Sequence, residues 1–171
     1  PVGKQKFQAM FELHIEQGPI LEAENKMIGV VTGVQGMRWY EVTVTGQNAH
    51  TGATPMTLRK DALLGAARMV ERINAIALAH APDAVGTVGL IEARPNSRNV
   101  IPGEVFFTVD FRHPESAVLD AMERQMHAAF AAMLADLPIE GAITRIWDQP
   151  PVAFDPACVG AVRRAAALSG L

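Results

Sequence analysis

A histidine and two glutamates alternate in one short apolar stretch near the start of the chain. The stretch reads FELHIEQGP over residues 11–19, with Glu12, His14 and Glu16 at every second position. Neutral imidazole is the commonest metal ligand in proteins, and carboxylates often complete such sites. On a β-strand these three side chains share one face, which makes His14 a candidate metal ligand. The alternative is a structural histidine on a buried strand. This alternative stays open because the sequence has no His-x-x-Glu-His or Cys-x-x-Cys motif, which would indicate a metal site more strongly.

A second histidine, His50, lies in the small polar segment QNAHTGATP. Loops that leave a rigid sheet commonly carry functional side chains, and this segment follows a clearly alternating stretch. A histidine there could donate a hydrogen bond to a carbonyl oxygen that gains negative charge during a reaction. The alternative is a solvent-exposed turn with no role in chemistry.

A loop asparagine and a strand-end arginine flank the alternating stretch VFFTVDFR over residues 105–112. Asn99 ends the segment RPNSRN, and Arg112 ends the stretch on its polar face. A guanidinium binds a carboxylate with two parallel hydrogen bonds, and a nearby asparagine amide suits the same ligand. The two residues are therefore candidates for holding a substrate carboxylate. The alternative is a surface loop and an arginine paired with a neighbouring carboxylate.

The segments that would position these side chains alternate between strand and helix patterns. Short apolar or alternating stretches predict strands over residues 7–16, 38–46, 84–93, 105–112 and 142–148. Apolar residues at three- to four-residue spacing predict a helix that begins near Thr57 and stops before Pro82, and a second helix over residues 115–136. A proline-rich linker, QPPVAFDP, precedes a further helix at the end of the chain.

From residue 38 to residue 147 the predicted elements follow the order β-α-β-β-α-β. This order predicts an α+β fold, a two-layer α/β sandwich in which a four-stranded antiparallel sheet carries both helices on one face. Two strands alternate cleanly enough to predict their common faces, which are Tyr40, Val42 and Val44 on one strand and Val105, Phe107, Val109 and Phe111 on the other.

Composition narrows the classes of partner. The 171 residues carry a net charge of −3 and no long basic run, which argues against nucleic acid and anionic membrane surfaces. No stretch reaches the ~18 apolar residues that a transmembrane helix needs. The single cysteine, Cys158, excludes an internal disulfide and fits a cytoplasmic protein. We expect the chain to be an excised piece of a longer protein, because it starts at Pro1 and ends inside a helical pattern.

Four motifs occur in a fixed order along the chain, FELHIEQGPILE, GQNAHTGATPM, RPNSRNVIPGEV and FTVDFRHP. Together they closely resemble the metal-dependent amidohydrolases of the hydantoinase/carbamoylase group within the M20 superfamily. That group comprises N-carbamoyl-L-amino-acid hydrolases, allantoate amidohydrolases and β-ureidopropionases. The resemblance covers roughly residues 7–150.

The resemblance implies a catalytic domain interrupted by a smaller lid that also forms the homodimer. Residues 1–33 would end the first catalytic segment, residues 34–150 would form the lid, and residues 151–171 would re-enter the catalytic domain. The substrate would be a small ureido compound with a carboxylate, cleaved at a C–N bond.

The resemblance also implies roles for five residues. His14 would bind one metal ion, and Gln17 would contact the substrate. His50 would reach from the lid into the partner subunit's site and polarise the scissile carbonyl. Asn99 and Arg112 would hold the substrate carboxylate.

Other parts of the group's site have no counterpart in this sequence. The resemblance implies two divalent ions per site, with zinc expected and manganese, cobalt or nickel also compatible. The remaining ligands and the general-base glutamate lie in segments that this chain does not contain. We therefore expect the isolated chain to be inactive, and we assign neither Glu12 nor Glu16 the role of general base.

Two other functions stay open. Many binding modules share this sandwich, so the chain could be a stand-alone dimerisation or ligand-binding module. It could also belong to an M20 aminoacylase or peptidase. The HIEQGP and RPNSRNVIPG motifs favour the ureido hydrolases, but they do not identify which ureido compound is cleaved.

Overall fold

The computed structural model describes residues 3–4 and 6–171. Backbone contacts divide the chain into two compact units. We call Gln35–Val152 the sheet unit, and Pro1–Val34 together with Ala153–Leu171 the terminal unit.

Short and long elements alternate along the described residues. The strands are β1 (Gly33–Val34), β2 (Gly36–Thr45), β3 (Ala49–His50), β4 (Val85–Thr87), β5 (Ile91–Arg94), β6 (Val100–Ile101), β7 (Glu104–His113), β8 (Glu140–Gln149) and β9 (Val152–Ala153). The helices are α1 (Ile20–Ala23), α2 (Ala62–Ala79), α3 (Ser116–Asp136) and α4 (Pro156–Leu168), with a 3₁₀ turn at Met56–Leu58.

The sheet unit confirms the predicted α+β sandwich. Its main sheet has the antiparallel order β4-β7-β2-β8, and β5 pairs with the same edge of β7 as β4 does. The predicted strand over residues 84–93 is thus two short strands on one neighbour. The central pair β2 and β7 is in register from Gly36 opposite His113 to Thr45 opposite Glu104.

The core lies between this sheet and the two long helices. Both predicted strand faces are confirmed as buried, and so is the apolar stripe of α3, which consists of Leu119, Met122, Met126, Phe130 and Met133. Helix α2 packs closely against Ile139 at Gly65, where a β-carbon would lie 2.4 Å from Ile139 Cδ1. The opposite face of the sheet stays partly exposed, with Trp39 and Trp147 as its largest side chains.

The predicted start of α2 near Thr57 is wrong, because the helix begins five residues later. The Asp61 carboxylate caps it by accepting hydrogen bonds from the backbone N–H groups of Leu63 and Leu64, each at 3.0 Å. An aspartate cap satisfies backbone donors that the first helical turn leaves unpaired. Thr57 instead lies in the short 3₁₀ turn.

The predicted strand over residues 7–16 is also wrong. Residues 6–17 contain neither helix nor strand and are exposed, with Leu13 fully so. A strand needs a neighbour for its backbone hydrogen bonds, and no described residue pairs with this stretch. Glu12, His14 and Glu16 therefore do not share the face of a strand.

Helix α4, near the end of the chain, confirms the helix predicted after the proline-rich linker. Asp155 caps it by accepting from the backbone N–H groups of Ala157 and Cys158, at 2.9 and 3.0 Å. These bonds hold the pKa of the Asp155 carboxyl below its usual range. Within the described residues, no helix combines the length and the apolar character that crossing a bilayer requires.

A buried arginine ties three elements of the sheet unit together. The Arg38 guanidinium donates to Asp120 at 2.6 Å, to Glu123 at 2.8 Å and to Asp148 at 3.2 Å. The side chain of Arg38 is only 8% exposed, whereas Asp120 and Asp148 reach solvent. The hydrogen bond from Arg38 lowers the pKa of the Asp120 carboxyl. Strand β2 is thereby linked through ion pairs to α3 and β8.

Removing this arginine should destabilise the chain. We expect Arg38→Ala to lower the free energy of unfolding by about 2 kcal/mol, because Asp120, Glu123 and Asp148 lose their most buried cation. The loss stays moderate because Arg145 still pairs with Glu123 and Asp148, and because two of the three carboxylates are solvated. Urea denaturation at an unchanged m-value measures this difference. The matched control is Arg68→Ala, whose exposed ion pair with Asp136 should contribute less than ~1 kcal/mol. Equal losses in both variants would contradict the role assigned to Arg38.

Candidate functional site

A two-stranded arm continues the central β2–β7 pair of the sheet unit beyond the last pair of residues, Thr45 and Glu104. Strand β3 pairs with β6, so that His50 lies opposite Val100. The base of the arm is fixed where Gly46 N–H donates to Gly103 O at 2.8 Å and Gly103 N–H donates to Asn48 Oδ1 at 2.7 Å. We define the arm as residues 46–54 and 99–103. It extends in the direction in which β2 ends and β7 begins.

The arm brings two of the predicted site residues together. Thr51 N–H, next to His50, donates to Asn99 O at 3.1 Å. Both His50 and Asn99 are exposed. The Asn99 side-chain oxygen accepts from Ser97 Oγ at 2.8 Å, and its Nδ2 group is left to donate. The arm therefore carries an exposed imidazole and an exposed amide donor on neighbouring backbone segments.

Two contacts around His50 were not predicted from the sequence. His50 Nδ1 accepts hydrogen bonds from the backbone N–H groups of Gly52 and Ala53, at 3.0 and 3.2 Å. The loop that follows is held by Arg59, which donates to Thr51 O at 2.7 Å and to Thr54 O at 3.2 Å. Backbone amides carry no sequence signal, and a lone arginine in a polar loop fits no motif. These contacts of His50 and Arg59 could therefore not be predicted from sequence patterns.

Arg112 lies near the opposite end of β7 from the arm. Its Nε and Nη2 groups donate to the two oxygens of Asp110, two residues earlier on the same face, at 3.1 and 2.7 Å. These hydrogen bonds raise the pKa of the Arg112 guanidinium. Since Asp110 occupies the Nε edge, Nη1 is left for a ligand. A cavity of about 580 Å³ on the exposed sheet face includes Arg112, Asp110, Trp39 and Val85 in its lining.

One chain cannot place Arg112 and the tip of the arm on the same small molecule. Arg112 follows Glu104 by eight residues of regular strand, or about 27 Å, and Asn99 lies beyond the Glu104 end. The proximity of Asn99 to Arg112 that we expected from the sequence is therefore not present within one chain. Asn99 and Arg112 lie beyond opposite ends of the extended strand from Glu104 to Phe111, and the length of this strand separates them.

The two remaining predicted residues, His14 and Gln17, lie in the terminal unit. His14 is exposed, and its Nδ1 bonds to the carbonyl of Ile15. Gln17 has a φ of 55°, in the left-handed region that non-glycine residues rarely adopt. Between them, the Glu16 carboxylate accepts from Ile20 and Leu21 N–H, at 3.0 and 3.1 Å. Glu16 is therefore occupied by bonds to the first turn of α1.

A complete metal centre does not fit the residues that this chain supplies. Within the described residues, no three His, Cys, Asp or Glu side chains are close enough to hold a metal ion. A two-ion site would therefore need ligands from outside the described residues.

Three comparisons relate the chain to known proteins. Residues 32–137 match the family profile described as peptidase dimerisation domain. An N-carbamoyl-L-amino-acid amidohydrolase of Rhizobium meliloti is 50% identical over 165 residues, which are 96% of this chain and 40% of that relative. An allantoate amidohydrolase of Escherichia coli (strain K12) is 38% identical over 149 residues, 87% of this chain and 36% of that relative.

A solved structure shows the same fold. An amidase of the hydantoinase/carbamoylase family from Burkholderia multivorans superposes with a TM-score of 0.89 at 60% identity, over 92% of this chain and 38% of that one. The chain thus spans two fifths or less of the length of these relatives.

Proposed function

Because this chain belongs to the peptidase dimerisation domain family, with hydantoinase/carbamoylase amidohydrolases as its relatives, we propose that it is the lid region of such an enzyme. The longer protein would hydrolyse a C–N bond of N-carbamoyl amino acids or related ureido compounds. The observation that carries this proposal is the arm, which presents His50 and Asn99 together as exposed donors. The sheet unit would be the lid, and the terminal unit would belong to the catalytic domain.

His50 would act on the scissile carbonyl. When water adds to a ureido carbon, the carbonyl oxygen gains negative charge, and a fixed N–H donor stabilises that charge. His50 suits this role because it stands exposed at the tip of a hydrogen-bonded arm. Its position on the lid would bring the donor to the substrate when the lid closes.

Arg112 and Asn99 would hold the substrate carboxylate from two different subunits. About 27 Å of strand separates them within one chain, whereas one carboxylate spans only a few ångströms. We therefore assign Arg112 to one side of the site, and Asn99 with His50 to the arm of the partner subunit. Asp110 leaves the Nη1 group of Arg112 available for this contact.

This arrangement requires a homodimer formed through the sheet unit. The match to a dimerisation domain over residues 32–137 supports it. A symmetric dimer would exchange the two arms, so each site would be completed by the other chain.

The single cysteine and the absence of disulfides support a cytoplasmic enzyme.

The metal centre of this enzyme would lie in its catalytic domain. His14 would supply one imidazole ligand, and Gln17 would contact the substrate nearby. Two divalent ions, zinc first among them, would activate the attacking water when bound. The further ligands and the general base would come from parts of the protein outside this chain, which should therefore be inactive when isolated.

The proposal is tested by comparing substrates on the intact purified enzyme. We expect release of the free amine product from N-carbamoyl-L-amino acids, allantoate or ureidopropionate, and none from the 171-residue chain. N-acetyl amino acids and dipeptides are the matched controls, since they carry the same carboxylate without the ureido group. Cleavage of the controls alone would point to an aminoacylase or peptidase. Cleavage of nothing would favour a binding module.

A further inference from the structure

Two histidines of the chain place Nδ1 against backbone groups of opposite kinds. His50 Nδ1 contacts two N–H groups, whereas His14 Nδ1 contacts a carbonyl oxygen. A neutral imidazole carries one proton, and the nitrogen that holds it is set by the hydrogen bond at the other nitrogen. The backbone around each histidine therefore determines whether Nε2, the nitrogen left for a ligand, carries a proton or a lone pair.

At His50 the proton must lie on Nε2. Gly52 and Ala53 donate to Nδ1 at 3.0 and 3.2 Å, and a nitrogen that accepts hydrogen bonds has its lone pair exposed to the donors. Nε2 then carries the hydrogen and can donate it. This is the tautomer that stabilises an oxyanion, because the other tautomer would turn a lone pair toward negative charge.

At His14 the contact of Nδ1 with a carbonyl oxygen, which can only accept, favours a proton on Nδ1. The lone pair of Nε2 is then available, as a metal ligand requires. The same residue type is thus prepared for donation in the arm and for coordination in the terminal unit.

Gly52 permits the close approach of its backbone to the ring. A β-carbon at this position would lie 3.2 Å from His50 Cε1 and 3.5 Å from Nδ1. The first distance is tighter than ordinary van der Waals contact, so the exposed ring would have to shift by a few tenths of an ångström relative to the two N–H groups. Glycine at position 52 therefore leaves the ring free to accept both bonds without this shift.

We propose that the Gly52–Ala53 backbone is a positioning element that fixes His50 as the Nε2–H tautomer, and that Gly52 is the residue on which this element depends. The tautomer itself follows from contacts within the arm. Its use as an oxyanion donor rests on the proposed function. Gly52 touches neither the substrate nor the reacting atoms, so it acts through His50 alone.

The tautomer can be measured on the 171-residue chain without any activity. Two-bond ¹H–¹⁵N spectra at about pH 8, above the ordinary histidine pKa of about 6.5, distinguish a bare ring nitrogen from a protonated one. We expect a bare Nδ1 at His50, assigned by loss of its signals in His50→Gln. His113, whose Nδ1 accepts from Glu115 N–H at 2.9 Å, is an internal reference for the same tautomer. A protonated Nδ1 at His50, or an average of both forms, would overturn the proposal.

The consequence for catalysis is tested in the intact enzyme with Gly52→Ala. We expect kcat to fall by up to about tenfold, since the ring shifts by less than the ~1 Å that can cost 10²-fold, while KM and metal content stay unchanged. The same variant of the 171-residue chain should show mixed tautomers at His50. The matched control is Gly160→Ala on α4, where the β-carbon would meet only the flexible Arg164 side chain at 3.4 Å.

The outcomes separate the two proposals. A wild-type kcat and an unchanged tautomer in Gly52→Ala would overturn the positioning role of Gly52. A bare Nδ1 that becomes mixed in this variant supports the positioning role, even for an enzyme that cleaves no ureido compound. In that case only the proposed function fails.

Discussion

Replacing His50 with alanine in the intact enzyme should lower kcat by about 10²–10³-fold, the usual cost of losing one oxyanion donor. His50 is exposed and its ring accepts hydrogen bonds from the backbone of its own loop, so its removal should not unfold the protein. We expect the free energy of unfolding to change by no more than ~0.5 kcal/mol. The lost activity would then be a loss of transition-state stabilisation.

Metal analysis distinguishes this role from coordination. His50→Ala should retain its bound metal, whereas His14→Ala should lose much of it along with activity. His127→Ala, an exposed histidine on α3, is the control and should keep both metal and kcat. Metal loss in His50→Ala comparable to that in His14→Ala would contradict the oxyanion role.

The elements whose burial follows from local alternation were predictable from the sequence. Strand β7 buries every second residue from Val105 to Phe111, and the sequence shows that period directly. The stripe of α3 was equally clear, because its apolar residues recur at helical spacing against a single sheet. Four ordered motifs then identified the family, which the comparisons confirm.

Other features depended on contacts that no local pattern records. Residues 7–16 have a strand-like composition but no partner strand among the described residues, so composition alone misled. Asp61 caps α2 because the chain turns there, and Thr57 was an equally suitable residue type. The separation of Asn99 from Arg112 follows from the length and register of β7, which only the folded sheet shows.

The central claim is that each active site combines Arg112 of one subunit with the arm of its partner. It predicts that complementary defects restore activity. In a heterodimer of His50→Ala and Arg112→Ala chains, one site would keep both residues and the other would lose both. Each homodimeric variant, by contrast, would have two damaged sites. The reverse arrangement, a double-mutant chain paired with a wild-type chain, would damage both sites once each.

The deciding measurement is kcat/KM of these two heterodimers, co-expressed with different affinity tags and purified through both. The shared site predicts about half of the wild-type value for the first heterodimer and almost none for the second, since one of two symmetric sites is intact in the first only. A site built within one chain predicts the opposite order. An active double-mutant/wild-type heterodimer beside an inactive complementary one would contradict the account.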